Sequence, residues 1–136
     1  MTSRPRILLA EDHQAAAEQL RSVLETEFEV VAIVRDGASL IEAARLLRPE
    51  AIVTDIAMPI LDGISATTSV LQHNPDARIV IVTVYHDAAI VERGLAAGAM
   101  GYVLKQAAGE ELIPAVHAAL HGLRHISSAA SVGIAE

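Results

Sequence analysis

Cysteine and tryptophan are absent from this chain of 136 residues, and its aromatic residues are two Tyr and one Phe. Without thiols it can form no disulfide, no Fe–S cluster and no thiolate nucleophile. Positive charge is also scarce. Ten basic residues face 17 acidic ones, for a formal charge of −7, which opposes unaided binding to nucleic acid or an anionic membrane. No apolar run reaches membrane-spanning length, and the first, Ile7-Leu8-Leu9-Ala10, is too short for a signal-peptide core. The expectation is a cytoplasmic chain with no membrane contact. At 136 residues it can bury one core but not a second domain of similar size.

What is present is an alternation of short apolar runs and longer amphipathic ones. The runs Ile7–Ala10, Val30–Val34, Ala51–Thr54, Ile79–Val84 and Gly101–Leu104 read as strands. The segments Gln14–Glu25, Ala38–Leu47, Ile64–Gln72, Ala88–Ala97 and Glu110–Leu120 read as helices. Arg48-Pro49, Asn74-Pro75, Gly98 and Gly122 supply the stops. Five β-α units in strict order imply an α/β fold with a parallel sheet and helices on both faces. The strands are apolar throughout, as central parallel strands are. A flavodoxin-like doubly wound sheet of five strands, order 2-1-3-4-5, with five helices follows, and its ligand site lies beyond the carboxyl ends of the first and third strands. No internal repeat is evident. Residues 1–124 form the expected domain, and the Ser-, Ala- and Gly-rich 125–136 reads as a tail or the start of a linker.

Polar side chains follow the apolar runs where that site should be. Glu11 and Asp12 come after the first strand, Asp55 after the third, Thr83 at the end of the fourth, and Lys105 after the fifth. Three converging carboxylates repel one another and call for a cation. Oxygen ligands without Cys suit a hard ion such as Mg²⁺. Asp12 alone has a blander reading, as cap of the helix that starts near Gln14. Lys105 is the one Lys beside nine Arg, and a compact ammonium suits a phosphate. Thr83 reads either as an ordinary β-branched strand residue or as a hydroxyl donor to a phosphoryl oxygen.

These residues, with Val53-Thr54-Asp55-Ile56-Ala57-Met58-Pro59-Ile60-Leu61-Asp62-Gly63, Ile81-Val82-Thr83 and Gly98-Ala99-Met100-Gly101-Tyr102-Val103-Leu104-Lys105, resemble the receiver domain of bacterial two-component response regulators. The resemblance runs from about Arg6 to Gly122, and the segment Gly122–Ser127 is similar to the NarL/LuxR type. It implies that Asp55 accepts a phosphoryl group from a sensor histidine kinase. It implies Mg²⁺, or Mn²⁺ in its place, held by Asp12, Asp55 and the backbone carbonyl of Ala57, with Glu11 acting through water. Thr83 and Lys105 would hold phosphoryl oxygens. Tyr102 would turn inward as Thr83 moves, relaying the change to the fourth helix and fifth strand. The chain would then be no enzyme with an external substrate but a phosphorylation-activated switch, reaching DNA only through an effector domain. The chain is expected to be either the receiver part of a transcription regulator, the preferred reading, or a stand-alone receiver. A homodimer stays open.

The chain departs from the family pattern at Val84, where Ala or Gly is usual, and Tyr85 follows it. Both could narrow access to the phosphoryl group and slow its hydrolysis. Pro114 inside the last helix removes one backbone hydrogen bond and could bend it. His117, His121 and His125 recur every four residues, a metal-binding spacing when two share a helix face, although solvated His is the plainer reading. His13 and His86 flank the expected site. Three other classes compete. A flavodoxin-like cofactor binder would meet repulsion from Glu11-Asp12 and few rings for a flavin. A phosphatase with an aspartyl intermediate would carry an acid where Ala57 stands. A receiver that acts without phosphorylation would not need Asp55, Thr83 and Lys105 together.

Overall fold

The structure, a computed structural model, describes residues 3–131. Its elements in chain order are β1 (Arg6–Ala10), α1 (Gln14–Leu24), β2 (Glu29–Val34), α2 (Gly37–Leu47), β3 (Ala51–Thr54), α3 (Gly63–His73), β4 (Ile79–Thr83), α4 (Ala88–Ala96), β5 (Gly101–Leu104), a 3₁₀ turn (Lys105–Ala107), α5 (Ala108–Leu120), β6 (His125–Ile126) and α6 (Ser128–Ser131). All strand pairs are parallel, in the order β2-β1-β3-β4-β5-β6. The expected five-strand order is therefore present, with one short strand added at the β5 edge.

That addition revises the reading of 125–136 as a plain tail. Gly101 pairs with His125 and Tyr102 with Ile126, and Ala130 of α6 is wholly buried. Two strand residues and four helical ones are too short to leave a period in the sequence. The rest of that segment, 132–136, lies outside the described residues.

Every residue of β3, β4 and β5 is buried, which explains their unbroken apolar character. One core lies under α1 and α5, where Leu20, Leu24, Leu112 and Val116 meet Leu9, Val53 and Val82. The other face packs Leu40, Ala66 and Val70 of α2 and α3 against Leu8, Ile52 and Ile79. A third cluster places Val91 of α4 with Ile81, Tyr102 and Leu104.

Caps set where the helices start. Asp36 accepts the Ser39 N–H at 2.7 Å, and Asp62 accepts the Ser65 N–H at 2.9 Å. At α1 the cap position is His13, with no side-chain cap. Asp12 therefore does not spend its carboxylate as a cap. The helix α5 continues through Pro114, whose ring is exposed. The lost bond is the one to the Glu110 carbonyl, while buried Leu112, Ala115 and Val116 hold the helix on the sheet.

Candidate functional site

Strand register brings the acids together. Ala10 pairs with Thr54 and Thr54 with Ile81, so β1 and β3 end in step. The next residues, Glu11 and Asp55, emerge side by side. The Glu11 N–H donates to Val34 and the Asp55 N–H to Ala10, each one bond beyond its strand. Glu11 is wholly buried and Asp55 is 5% exposed. Two buried carboxylates so close require a counter-charge.

Lys105 supplies it. It leaves the end of β5, where Leu104 pairs with Thr83. Its Nζ donates to Asp55 Oδ2 at 2.9 Å and lies 2.7 Å from Glu11 Oε1. Glu11 Oε1 has no aligned hydrogen bond, so the second contact is held by charge. Burial alone would lower the Lys105 pKa, but the close carboxylates of Glu11 and Asp55 outweigh it, and the pKa is raised. The ammonium therefore stays charged at neutral pH.

Asp55 is fixed on every side. Its Oδ1 accepts the Ile56 N–H at 2.7 Å, and its carbonyl accepts the Thr54 hydroxyl at 2.8 Å. Gly63 packs directly on that carbonyl, and a Cβ there would stand 1.9 Å from its oxygen. Glycine at 63 is thus required by contact. The loop from Asp55 to Asp62 carries the exposed Ala57 and turns at Ile60, a β-branched residue at φ 70°.

The acids also meet the fit for a cation. Asp12 Oδ1 is a buried atom with no hydrogen-bond partner, and it lies 3.3 Å from His13 Nδ1. One ligating atom each from Glu11, Asp12 and His13 falls within 4.8 Å of the others. Glu11 Oε2 accepts the His13 N–H at 3.1 Å. His13 joins the acids through this contact, and its signal in the sequence is its position two residues after Glu11.

Thr83 ends β4, buried, and its Oγ1 accepts the Tyr85 N–H at 3.3 Å. Tyr102 lies inward and wholly buried, and its hydroxyl donates to the Tyr85 carbonyl at 2.7 Å. Burial, then the charges of Asp87 and Asp55, push its pKa up to about 12. Gly94 of α4 makes room for the ring, since a Cβ there would be 3.3 Å from Tyr102 Cε2. Val84 and Tyr85 are exposed, at 60% and 38%.

The spaced histidines do not converge. His117 Nε2 meets Glu27 at 2.6 Å, His121 Nδ1 lies 2.8 Å from the His117 carbonyl, and His125 Nε2 meets Glu111 at 3.0 Å. A cavity of about 520 Å³ between α2 and α3, with Arg45, Arg48 and His73 in its lining, sits at the opposite end of the sheet and touches none of the acids.

Comparison with known proteins gives a consistent picture. Residues 7–117 match the response regulator receiver domain family. The chain is 35% identical over 123 residues to the transcriptional regulatory protein DegU of Brevibacillus brevis, covering 89% of this chain and 52% of that protein. It thus spans about half the length of that curated relative. Its fold is similar to a LuxR-family two-component response regulator from Aurantimonas sp. SI85-9A1 (TM-score 0.93, 34% identity, 98% of this chain and 96% of that one). It is also similar to the RcsB response regulator of Salmonella typhimurium, at TM-score 0.89 and 27% identity over 98% of this chain and 68% of that one.

Proposed function

The chain belongs to the response regulator receiver domain family, and on that premise we propose that Asp55 is the residue through which it is switched. Receiver domains of this family act in phosphorylation signalling and bind Mg²⁺ at an acidic pocket. In this chain the pocket would be Glu11, Asp12, Asp55 and the Ala57 carbonyl. The carrying observation is the Lys105 ammonium lodged between buried Glu11 and Asp55, with the residue after Glu11, Asp12, holding a buried oxygen that has no hydrogen-bond partner.

Phosphoryl transfer needs little covalent help from the protein beyond position and charge neutralisation. An Asp55 oxygen would form the P–O bond as the P–N bond of a kinase phosphohistidine breaks, and the departing imidazole takes a proton from solvent. Lys105, already 2.9 Å from Asp55 Oδ2, would then face a phosphoryl oxygen. The Thr83 hydroxyl, at the adjacent strand end, donates to another. A bound Mg²⁺ supplies further charge neutralisation at those oxygens. Tyr102, tied to the Tyr85 backbone two residues beyond Thr83, carries the change to α4 and β5.

The partner is a sensor histidine kinase, and the site is cytoplasmic. Among the described residues no helix is long and apolar enough to cross a membrane. The receiver includes β6 and α6 as well as the elements up to α5, since both pack on β5. By likeness to the transcriptional regulators, the output is transcription through an effector domain that contacts DNA. Incubation with Mg²⁺ and acetyl phosphate followed by intact mass tests the switch. One phosphoryl group on wild type and none on Asp55→Asn supports it. No adduct on either, with no beryllofluoride complex, leaves a module that acts without phosphorylation.

A further inference from the structure

The segment after α5 returns to the sheet beside the site. The β5–β6 ladder stops at Ile126, and the next residue continues it with a side chain. Ser127 is 1% exposed. Its N–H donates to the Tyr102 carbonyl at 2.8 Å, and its Oγ accepts the Leu104 N–H at 3.1 Å. Ser127 therefore brackets the stretch of β5 that carries Tyr102 and ends one residue before Lys105. Its hydroxyl proton goes to Glu111 Oε1 at 2.9 Å, which also holds His125 Nε2 at 3.0 Å. Four residues of α6 then follow, and Ala130 is buried in the cluster of Tyr102, Ile81, Val91 and Leu104.

None of these groups touches the acids, yet all of them fix the strand that delivers Lys105. We infer that Ser127, oriented by Glu111, is a positioning residue that couples the segment 125–131 to the phosphoryl site through the Leu104 backbone. The inference rests on the proposed phosphorylation of Asp55. A free Leu104 N–H would let the end of β5 and the Lys105 stem shift, whereas the bond to Ser127 holds the ammonium at Asp55 before any phosphoryl group arrives. Coupling between sites is reciprocal. A segment that favours phosphoryl binding must itself be held more firmly when the phosphoryl group is bound. The output segment then reads the site through its own hydrogen bonds, by a route separate from Thr83 and Tyr102.

The test uses beryllofluoride with Mg²⁺ as the phosphoryl mimic, its binding followed by ¹⁹F NMR on the full chain. Amide exchange at residues 125 and 127 is read in parallel. In wild type, beryllofluoride should slow exchange of the His125 and Ser127 amides. Ser127→Ala should bind it about five-fold more weakly or worse, the lower end of ordinary coupling. Glu111→Ala should weaken binding in the same direction, and Glu111→Gln, which keeps the acceptor oxygen, should stay near wild type. If Ser127→Ala does not fold, the two Glu111 variants decide the matter. A merely structural role would lower the melting temperature and leave beryllofluoride affinity unchanged, and that result overturns the inference. Wild type that binds no beryllofluoride overturns the proposed function and this inference with it. Wild type that binds without any change in exchange at 125 and 127 overturns the inference alone.

Discussion

Lys105 is the residue on which the site balances. Its side chain is 21% exposed, while those of Glu11 and Asp55 are 0% and 7%. Removing the ammonium would leave two buried carboxylates without a counter-charge. Lys105→Met should therefore destabilise the metal-free protein by about 3 kcal/mol. Added Mg²⁺ should recover part of that loss, because a cation again faces the acids. Urea unfolding with and without Mg²⁺ measures both, and equal stability of variant and wild type would contradict the balance. Tyr102 gives a second test with a definite sign. Its pKa is raised from 10.0 to about 12, so the fold favours the neutral phenol. That contribution is complete below pH 10 and is lost as pH rises towards 12. Tyr102→Phe should flatten this alkaline limb of a stability–pH curve. The placement of Asp55, Thr83 and Lys105 at strand ends was legible because each closes or directly follows an apolar run. An inward turn of Tyr102 was implied by the resemblance, but that the ring already lies inward and bonds the Tyr85 carbonyl was not legible, since this depends on a contact 17 residues apart.

Elements carry the next set of forces. The α3 cap lies at the end of the loop that holds Asp55. Burial would raise the Asp62 pKa, but the Ser65 N–H, the Ser65 hydroxyl and the Ile64 N–H lower it below 3.8. Its capping contribution is thus present above pH 3.8 and is lost as pH falls through the lower folded value. Asp62→Ala should cost about 1 kcal/mol at neutral pH and progressively less in acid. Chemical denaturation at two pH values checks this, and a pH-independent cost would contradict it. Gly63→Ala should be worse, because its Cβ would meet the Asp55 carbonyl at 1.9 Å. The expected result is a loss of about 2 kcal/mol or more. Helix and strand placement was legible from periodicity and breakers, as in the stops at Asn74-Pro75 and Gly122. The capping role open to Asp12 was not decided by sequence, because His13 takes the cap position instead. Likewise β6 and α6 exist only through partners on β5 and α5, which no local pattern reveals.

At the scale of the whole molecule, the parallel sheet gathers residues from three separated strand ends into one buried charge cluster. The two residues after Thr83 bear on the lifetime of the switched state. Val84 stands beside Thr83 and Tyr85 beyond it, both exposed. If their bulk hinders the attacking water, Val84→Ala should shorten the phosphoryl lifetime several-fold, about 1 kcal/mol of barrier. An unchanged lifetime in a timed mass measurement would remove them from the account. The proposed switch requires the phosphoryl group to sit on Asp55 and nowhere else. Borohydride reduction of the phosphorylated protein, followed by peptide mapping, converts an aspartyl phosphate to homoserine and marks its position. Homoserine is expected at position 55, formed only when Mg²⁺ and acetyl phosphate are both present. Homoserine at position 12 or 62, or none at all on a protein carrying the phosphoryl mass, would contradict it.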